Sequence, residues 1–558
     1  MQIRPSFSNS NSFTRGLSQQ HSLRGKYEWK IDSLASIKFS IAGTQREKTQ
    51  NTESSTVTQV DDYSGNLRLL NENDRTNDLF SRKRELDNVL TYKQLFKKKN
   101  RQLITTLRLG LIEDNGNEML QSETNIYNNG VLSEVELIDQ MKLNDGRSRT
   151  AGVRLTYNEP LTEKLNLVTE YSLNHNASES HRNSYDNDGF DKYIVKNDEF
   201  SNNFDLTALS NSGTITARYM SKKLRMVAGA GLSSINLNLK NLDQETKKKY
   251  NFLGFTPQAQ VAFIRSQQSQ ISFSYRGNTV QPTLNQLQPL RNNTDPLSVY
   301  IGNPDLKVAF NHSLSFNYND FRVLSGRSLF ANLGITFHQN AITQSSTLKG
   351  GKRTYMPVNV DGNYNYYLWS AWNSGQGDKK WIHQISPQIS GGRSANIIEN
   401  VTNINTYATF SINYNLRYSL MDKFNMSIGP SASRSLSKSS LAPDVNNNFW
   451  TYGGRGYLWV KLPKKFELVT DIESNLRQKT EAFPNVVNIT VWNAKLSRKF
   501  FKDNSFQLDL YAYDILNQNI GFTRNINSNF MTEQRFDRIS QYFMLSAIWT
   551  FNKMPGGK

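Results

Sequence analysis

Cysteine is absent from all 558 residues, so disulfide staples and thiolate metal sites are excluded. No stretch approaches the roughly 18 uninterrupted apolar residues that a spanning helix needs, so if the chain crosses a membrane it crosses as strands. The opening residues, Met1-Gln2-Ile3-Arg4-Pro5-Ser6, hold no apolar run of the kind a secretory leader carries. Hydrophobic residues are also scarce, at 37%, with a mean hydropathy of −0.62. That average alone suits a soluble or loosely ordered chain.

Aromatic residues argue otherwise. The chain has 30 Phe, 25 Tyr and 8 Trp, and disordered chains are poor in such rings. A polar average with many rings fits a membrane barrel, in which one strand face meets lipid, the other meets water, and aromatic girdles mark both interfaces. The formal charge of +18 is strongly basic. Because the Lys and Arg are scattered and often sit beside turns, nucleic acid is not the expected partner; anionic lipid and lipopolysaccharide head groups suit this balance.

The dominant pattern is apolar/polar alternation at period two, end to end. Leu103, Thr105, Leu107, Leu109 and Leu111 oppose Ile104, Thr106, Arg108 and Gly110. Leu165, Leu167, Thr169, Tyr171 and Leu173 oppose Asn166, Val168, Glu170 and Ser172, and Ile412, Tyr414, Leu416 and Tyr418 oppose Asn413, Asn415, Arg417 and Ser419. A soluble sandwich produces the same alternation, so the connections decide. Short polar turns fall near residues 32–33, 97–100, 159–160, 221–223, 266–268, 421–423, 463–465 and 502–504, with less marked ones near 322–327 and 372–378. Long Asn/Ser/Gly-rich segments lie between them, such as 177–200, 239–252, 279–309, 436–447 and 517–537. Outer-membrane barrels sort their connections in this way, with tight turns on the periplasmic side and long loops outside. The expected fold is all-β, a large antiparallel transmembrane β-barrel of about 20–22 strands with long extracellular loops and short periplasmic turns, forming a single domain over residues 1–558. A lumen of that width is too broad for side chains to fill.

The last strand places Phe543, Leu545, Ala547, Trp549 and Phe551 on one face and Tyr542, Met544, Ser546, Ile548 and Thr550 on the other. So apolar an edge would invite aggregation in water. Tyr542, Phe543, Trp549 and Phe551 are the expected signal for barrel-assembly machinery.

Pro282, Pro289 and Pro296 keep residues 281–309 out of a central ladder, since proline lacks the amide donor. This segment is expected to form an ordered extracellular loop or lid, with Gln286, Pro289, Asp295, Gly302, Asn303 and Pro304 as its candidate residues; simple turn chemistry also accounts for Gly302, Asn303 and Pro304. Asp186, Asp188 and Asp191 are closely spaced oxygen ligands beside Gly189, a weak calcium pattern that lacks the terminal glutamate of an EF-hand loop. The six histidines, His21, His175, His181, His312, His338 and His383, show no zinc-like spacing. No phosphate loop or nucleophile elbow stands out, so neither a catalytic residue nor a cofactor is expected. Arg154, Arg218, Arg225 and Arg417 fall on the polar strand face as candidate lumen residues, with Glu170, Glu467 and Asp471 as partners.

Three segments carry a family resemblance. The first runs from Tyr275-Arg276-Gly277 through Gln281-Pro282-Thr283-Leu284-Asn285-Gln286-Leu287-Gln288-Pro289 and Thr294-Asp295-Pro296-Leu297 to Ile301-Gly302-Asn303-Pro304-Asp305-Leu306-Lys307. The second is Val358-Asn359-Val360-Asp361-Gly362-Asn363-Tyr364. The third is Ala512-Tyr513-Asp514-Ile515-Leu516-Asn517-Gln518-Asn519, followed by Gln541-Tyr542-Phe543-Met544-Leu545. Together they resemble TonB-dependent receptors, and most closely the Bacteroidetes-type outer-membrane β-barrel family related to them. The resemblance covers residues from about 20 to Phe551.

It implies the outer membrane of a Gram-negative bacterium and import of a small ligand (a metal chelate, cofactor or glycan), energised through TonB by movement of a plug domain. Neither a plug nor a TonB-contacting segment is recognisable in the sequence, and the expectation is a fragment or a barrel whose plug is supplied separately. The rival expectation is a barrel that partners other envelope proteins without transporting anything.

Overall fold

The structure is a computed structural model that describes residues 6–61, 66–190, 192–287, 297–349, 352–375, 380–420, 423–443, 448–479, 488–526 and 531–551. The first strands are β1 (Ser6–Lys30), β2 (Ala35–Asp61), β3 (Leu67–Leu95), β4 (Gln102–Asn128), β5 (Val131–Pro160), β6 (Leu165–Asn187), β7 (Tyr193–Met220), β8 (Leu224–Asn241), β9 (Thr246–Ser266) and β10 (Ser269–Val280). A single helical turn, α1 (Leu284–Leu287), precedes β11 (Ser298–Tyr300), β12 (Ala309–Arg322), β13 (Arg327–Gln339), β14 (Ala341–Lys349), β15 (Lys352–Val360) and β16 (Asn363–Asn373). The chain ends with β17 (Trp381–Ile398), β18 (Val401–Leu420), β19 (Phe424–Ser439), β20 (Phe449–Leu462), β21 (Phe466–Arg477), β22 (Ile489–Phe500), β23 (Phe506–Tyr513), β24 (Gly521–Ile526), β25 (Met531–Phe536) and β26 (Tyr542–Trp549).

The main sheet has 24 strands, and β24 and β25 form a separate hairpin. Three of the 24, β11 and the β14–β15 hairpin, attach through short parallel pairings: Ser298–Tyr300 runs beside Arg353–Tyr355, and Ser345–Ser346 beside Ile397–Ile398. The remaining 21 follow one another as a continuous antiparallel meander, in line with the 20–22 read from the sequence. Each short turn read from the sequence lies at or beside a junction of two ladder partners. Among the described residues β1 pairs only with β2 and β26 only with β23. The first and last strands of an odd-numbered antiparallel meander run in the same direction.

Only about 9–11 tilted residues are needed to cross a bilayer, yet β3 has 29 and β5 has 30. The surplus rises beyond the membrane as wall. This corrects the reading of 177–200 and 239–252 as loops: most of both segments is laddered, Ala177–Asn187 against β7 and Leu239–Asn241 against β9. Polar residues on both faces hid those strands, because the alternation that marks a strand in sequence fades where water bathes both sides. At one tip Asn129 (φ 51°) and Gly130 (φ 81°) make a two-residue turn, the backbone that a tight hairpin with right-handed twist requires.

Register sorts the side chains. One row runs Tyr27, Phe39, Leu90, Leu107, Val153 and Leu173 across β1 to β6, and another runs Leu496, Leu510 and Leu545 at the far end. Leu109 is 61% exposed and Leu545 72%. In water such a surface would aggregate; in a bilayer it is the lipid contact, and the strands between β1 and β26 satisfy their backbone amides within the ladder. Rings gather toward the short-turn ends, where Trp381 packs on Tyr418 and Phe506 on Trp549.

Candidate functional site

The opposite register forms an inner wall of polar side chains. Arg154, Glu170, Arg218, Arg225, Arg417, Glu467 and Asp471 all fall on it. Arg154 lies 3.6 Å from Glu170, which also accepts from the Thr156 hydroxyl at 3.2 Å. The other two expected acids take different partners: Glu467 pairs with Lys499 at 2.7 Å, and Asp471 accepts from the Asn493 amide at 2.9 Å. His338 sits between Asn311 and Asn365, 2.8 Å from each. That is a cross-strand hydrogen-bond bridge, and no group of His, Cys, Asp or Glu suited to a metal occurs among the described residues.

The described parts of the proline-rich segment, residues 281–287 and 297–309, fold inward. Leu287 is completely buried and Leu306 nearly so, both packed with Phe252 and flanked by Ile235, Leu237 and Tyr250. Phe252 is opposite Ile235 on the inner-wall register, so the segment docks against the inside of β8 and β9. Of the six candidate residues, Gln286 and Asn303 hold it together. The Gln286 side chain accepts from the Thr283 amide at 2.8 Å, and its carbonyl accepts from the Asn303 amide at 2.6 Å. The Asn303 side-chain amide donates to the Pro357 carbonyl at 2.9 Å, and its oxygen caps the Asp305 amide at 3.0 Å. Gly302 is buried and Pro304 exposed. Pro289 and Asp295 lie outside the described residues. Sequence reading ranked the Asn303 turn but missed the two leucine anchors, whose only signal was apolar residues in a proline-rich polar stretch.

At the mouth, Lys352 on β15 makes an ion pair with Glu136 near the tip of β5. The two residues are 216 positions apart, and nothing in the sequence marks them. Asp186 accepts from Gln140 and Asn197, and Asp188 from the amides of Phe190 and Lys192. These two carboxylates serve the loop's own hydrogen bonds, and Asp191 lies outside the described residues.

The terminal strand divides as expected. Phe543, Trp549 and Phe551 are exposed on the lipid face, with Trp549 stacked on Phe551 at 5.7 Å, while Tyr542 stacks on Tyr513 at 4.4 Å. Upstream, Asp514 is buried and accepts from the Gln518 and Asn519 amides at 3.0 and 2.8 Å. The Asp-Ile-Leu-Asn-Gln-Asn run is thus a corner that leads the chain out of β23.

A sheet of this size, greasy on one face and polar on the other, defines an integral outer-membrane β-barrel. The sequence model of the Outer membrane protein beta-barrel family matches residues 94–549, and the chain belongs to that family. No curated protein matches it. Similar solved structures include the copper transporter OprC, at 10% identity and a TM-score of 0.42 over 98% of this chain and 80% of that one. The siderophore receptor PiuA from Acinetobacter baumannii is 12% identical, with a TM-score of 0.43 over 98% and 82%. The siderophore receptor PirA from Pseudomonas aeruginosa is 10% identical, with a TM-score of 0.36 over 97% and 80%.

Proposed function

We propose that this chain is the barrel of a TonB-dependent-type receptor that binds a nutrient ligand and passes it across the outer membrane. The observation that carries the reading is the inward packing of residues 281–287 and 297–309, anchored by Leu287 and Leu306 on the inner face of β8 and β9. It builds a shaped polar mouth over a lumen that 21 ladder strands cannot fill with their own side chains. The motif resemblance supports the same class. The ligand class is a metal chelate, cofactor or glycan, and the plug and the TonB-type energising complex are supplied by polypeptide beyond the barrel described here. The lipid-facing rows anchor the wall, the basic surface meets lipopolysaccharide, and the aromatic terminal strand serves the assembly machinery.

The test is uptake of ferric citrate, cobalamin and maltodextrin by cells with and without the gene, each with and without a protonophore. A protonophore-sensitive uptake lost with the gene supports the reading. Unchanged uptake of every probe, with stoichiometric co-purification of envelope proteins, would establish the non-transporting partner barrel instead.

A further inference from the structure

The inner wall from β6 to β12 contains a recess of about 740 Å³ whose chemistry is more specific than a polar lining. Two guanidiniums, Arg218 on β7 and Arg276 on β10, face it, and neither makes an ion pair or side-chain hydrogen bond among the described residues. Between them lie Thr214, Thr216, Thr256 and Gln258, with Gln258 donating to the Thr216 hydroxyl at 3.1 Å. The carboxylate in the lining, Glu170, already has Arg154 beside it, so the local balance is cationic.

Two glycines let the threonines close over the wall. Gly229 and Gly231 occupy the inner-wall register of β8, opposite Thr216 and Thr214 on one side and Gln258 and Thr256 on the other. A Cβ at Gly231 would come within 2.5 Å of the Thr256 hydroxyl and 2.7 Å of the Thr214 hydroxyl; one at Gly229 would meet Thr216 at 2.7 Å. Any other residue would displace the threonine hydroxyls that line the recess. Unpaired arginines with hydroxyl and amide donors between them are what a carboxylate or phosphate needs, because guanidinium binds such groups through paired charge-assisted hydrogen bonds.

We propose that this recess is an oxyanion seat that holds the carboxylate or phosphate of a solute in transit along the lumen. The transit half rests on the transport reading above; the binding half does not, and the experiment separates them. The full chain, purified in detergent, is dialysed against radiolabelled citrate, with erythritol as the neutral probe. Citrate binds saturably and erythritol does not. The double variant R218Q/R276Q weakens citrate about tenfold or more, and G231V abolishes binding while retaining the heat-modifiable gel migration of a folded barrel. R417Q, which removes one positive charge elsewhere on the wall, leaves binding intact.

Equal loss in R417Q would mean a diffuse cationic lumen and overturn the seat, as would citrate binding that survives R218Q/R276Q. In liposomes, R218Q/R276Q slows citrate entry relative to erythritol. An unchanged entry ratio with lost binding would overturn transit and assign the seat to an acidic side chain of a lumen-filling segment.

Discussion

Lys352 and Glu136 form an ion pair although 216 residues separate them, and the pair braces two extracellular hairpins, β14–β15 and β4–β5, against each other across the mouth. A partly exposed pair of this kind is worth about 0–1 kcal/mol, enough to shift a hairpin between two positions a few-fold. Glu136→Lys is expected to speed liposome swelling by large oligosaccharides relative to small sugars, and adding Lys352→Glu to restore it. A double variant that stays as permeable as the single would show that the pair does not hold the mouth.

Leu287→Ala or Leu306→Ala leaves a cavity in the apolar cluster that fastens residues 281–287 and 297–309 inside the wall. Such truncations cost about 2–5 kcal/mol, leaving the three-residue β11–β15 pairing and the Gln286 and Asn303 hydrogen bonds to hold the segment. Trypsin is expected to cut after the exposed Lys307 in the variants and not in the wild type, with heat-modifiable migration of the barrel retained. Equal resistance would mean the segment is held by something other than its leucines.

Glu159 closes the periplasmic rim. It takes hydrogen bonds from Arg101, Lys98 and Tyr157, which hold its carboxyl down at about 2. A depressed carboxyl stabilises the fold above its ordinary pKa of 4.5 and loses that contribution as pH falls from there toward 2. Thermal midpoints of wild type and Glu159→Gln should therefore differ at pH 7, stay equally separated from pH 6 to 8, and converge near pH 2. A gap that persisted at pH 2 would assign the effect to shape rather than charge.

Gly334 lies opposite Tyr367 on the inner wall, and a Cβ there would collide with the tyrosine ring. Gly334→Val is expected to cost about 1–3 kcal/mol through overpacking, read as a lower urea midpoint. Combining it with Tyr367→Ala should give less than the sum of the two losses, since removing the ring removes the clash. Strict additivity would contradict the contact.

The sequence determined the wall by itself. Period-two alternation in Leu103–Leu111 and Phe543–Phe551, and the polar turns from Asp32 to Asn504, specify which face meets lipid and where the chain reverses, because both depend only on neighbours one or two residues away. It also placed Arg154 and Glu170 each on the polar face of its own strand, since residues two apart in a strand share a side. Long polar stretches such as Ala177–Asn187 read as loops because water on both faces erases the alternation, and only ladder partners on β7 showed them to be strands. The mouth and the inner recess were decided by tertiary structure alone. Leu287 meeting Phe252, Lys352 meeting Glu136, and Arg218 and Arg276 facing one recess all depend on strand register and sheet curvature, which sum small twists over many strands and leave no local mark in the chain.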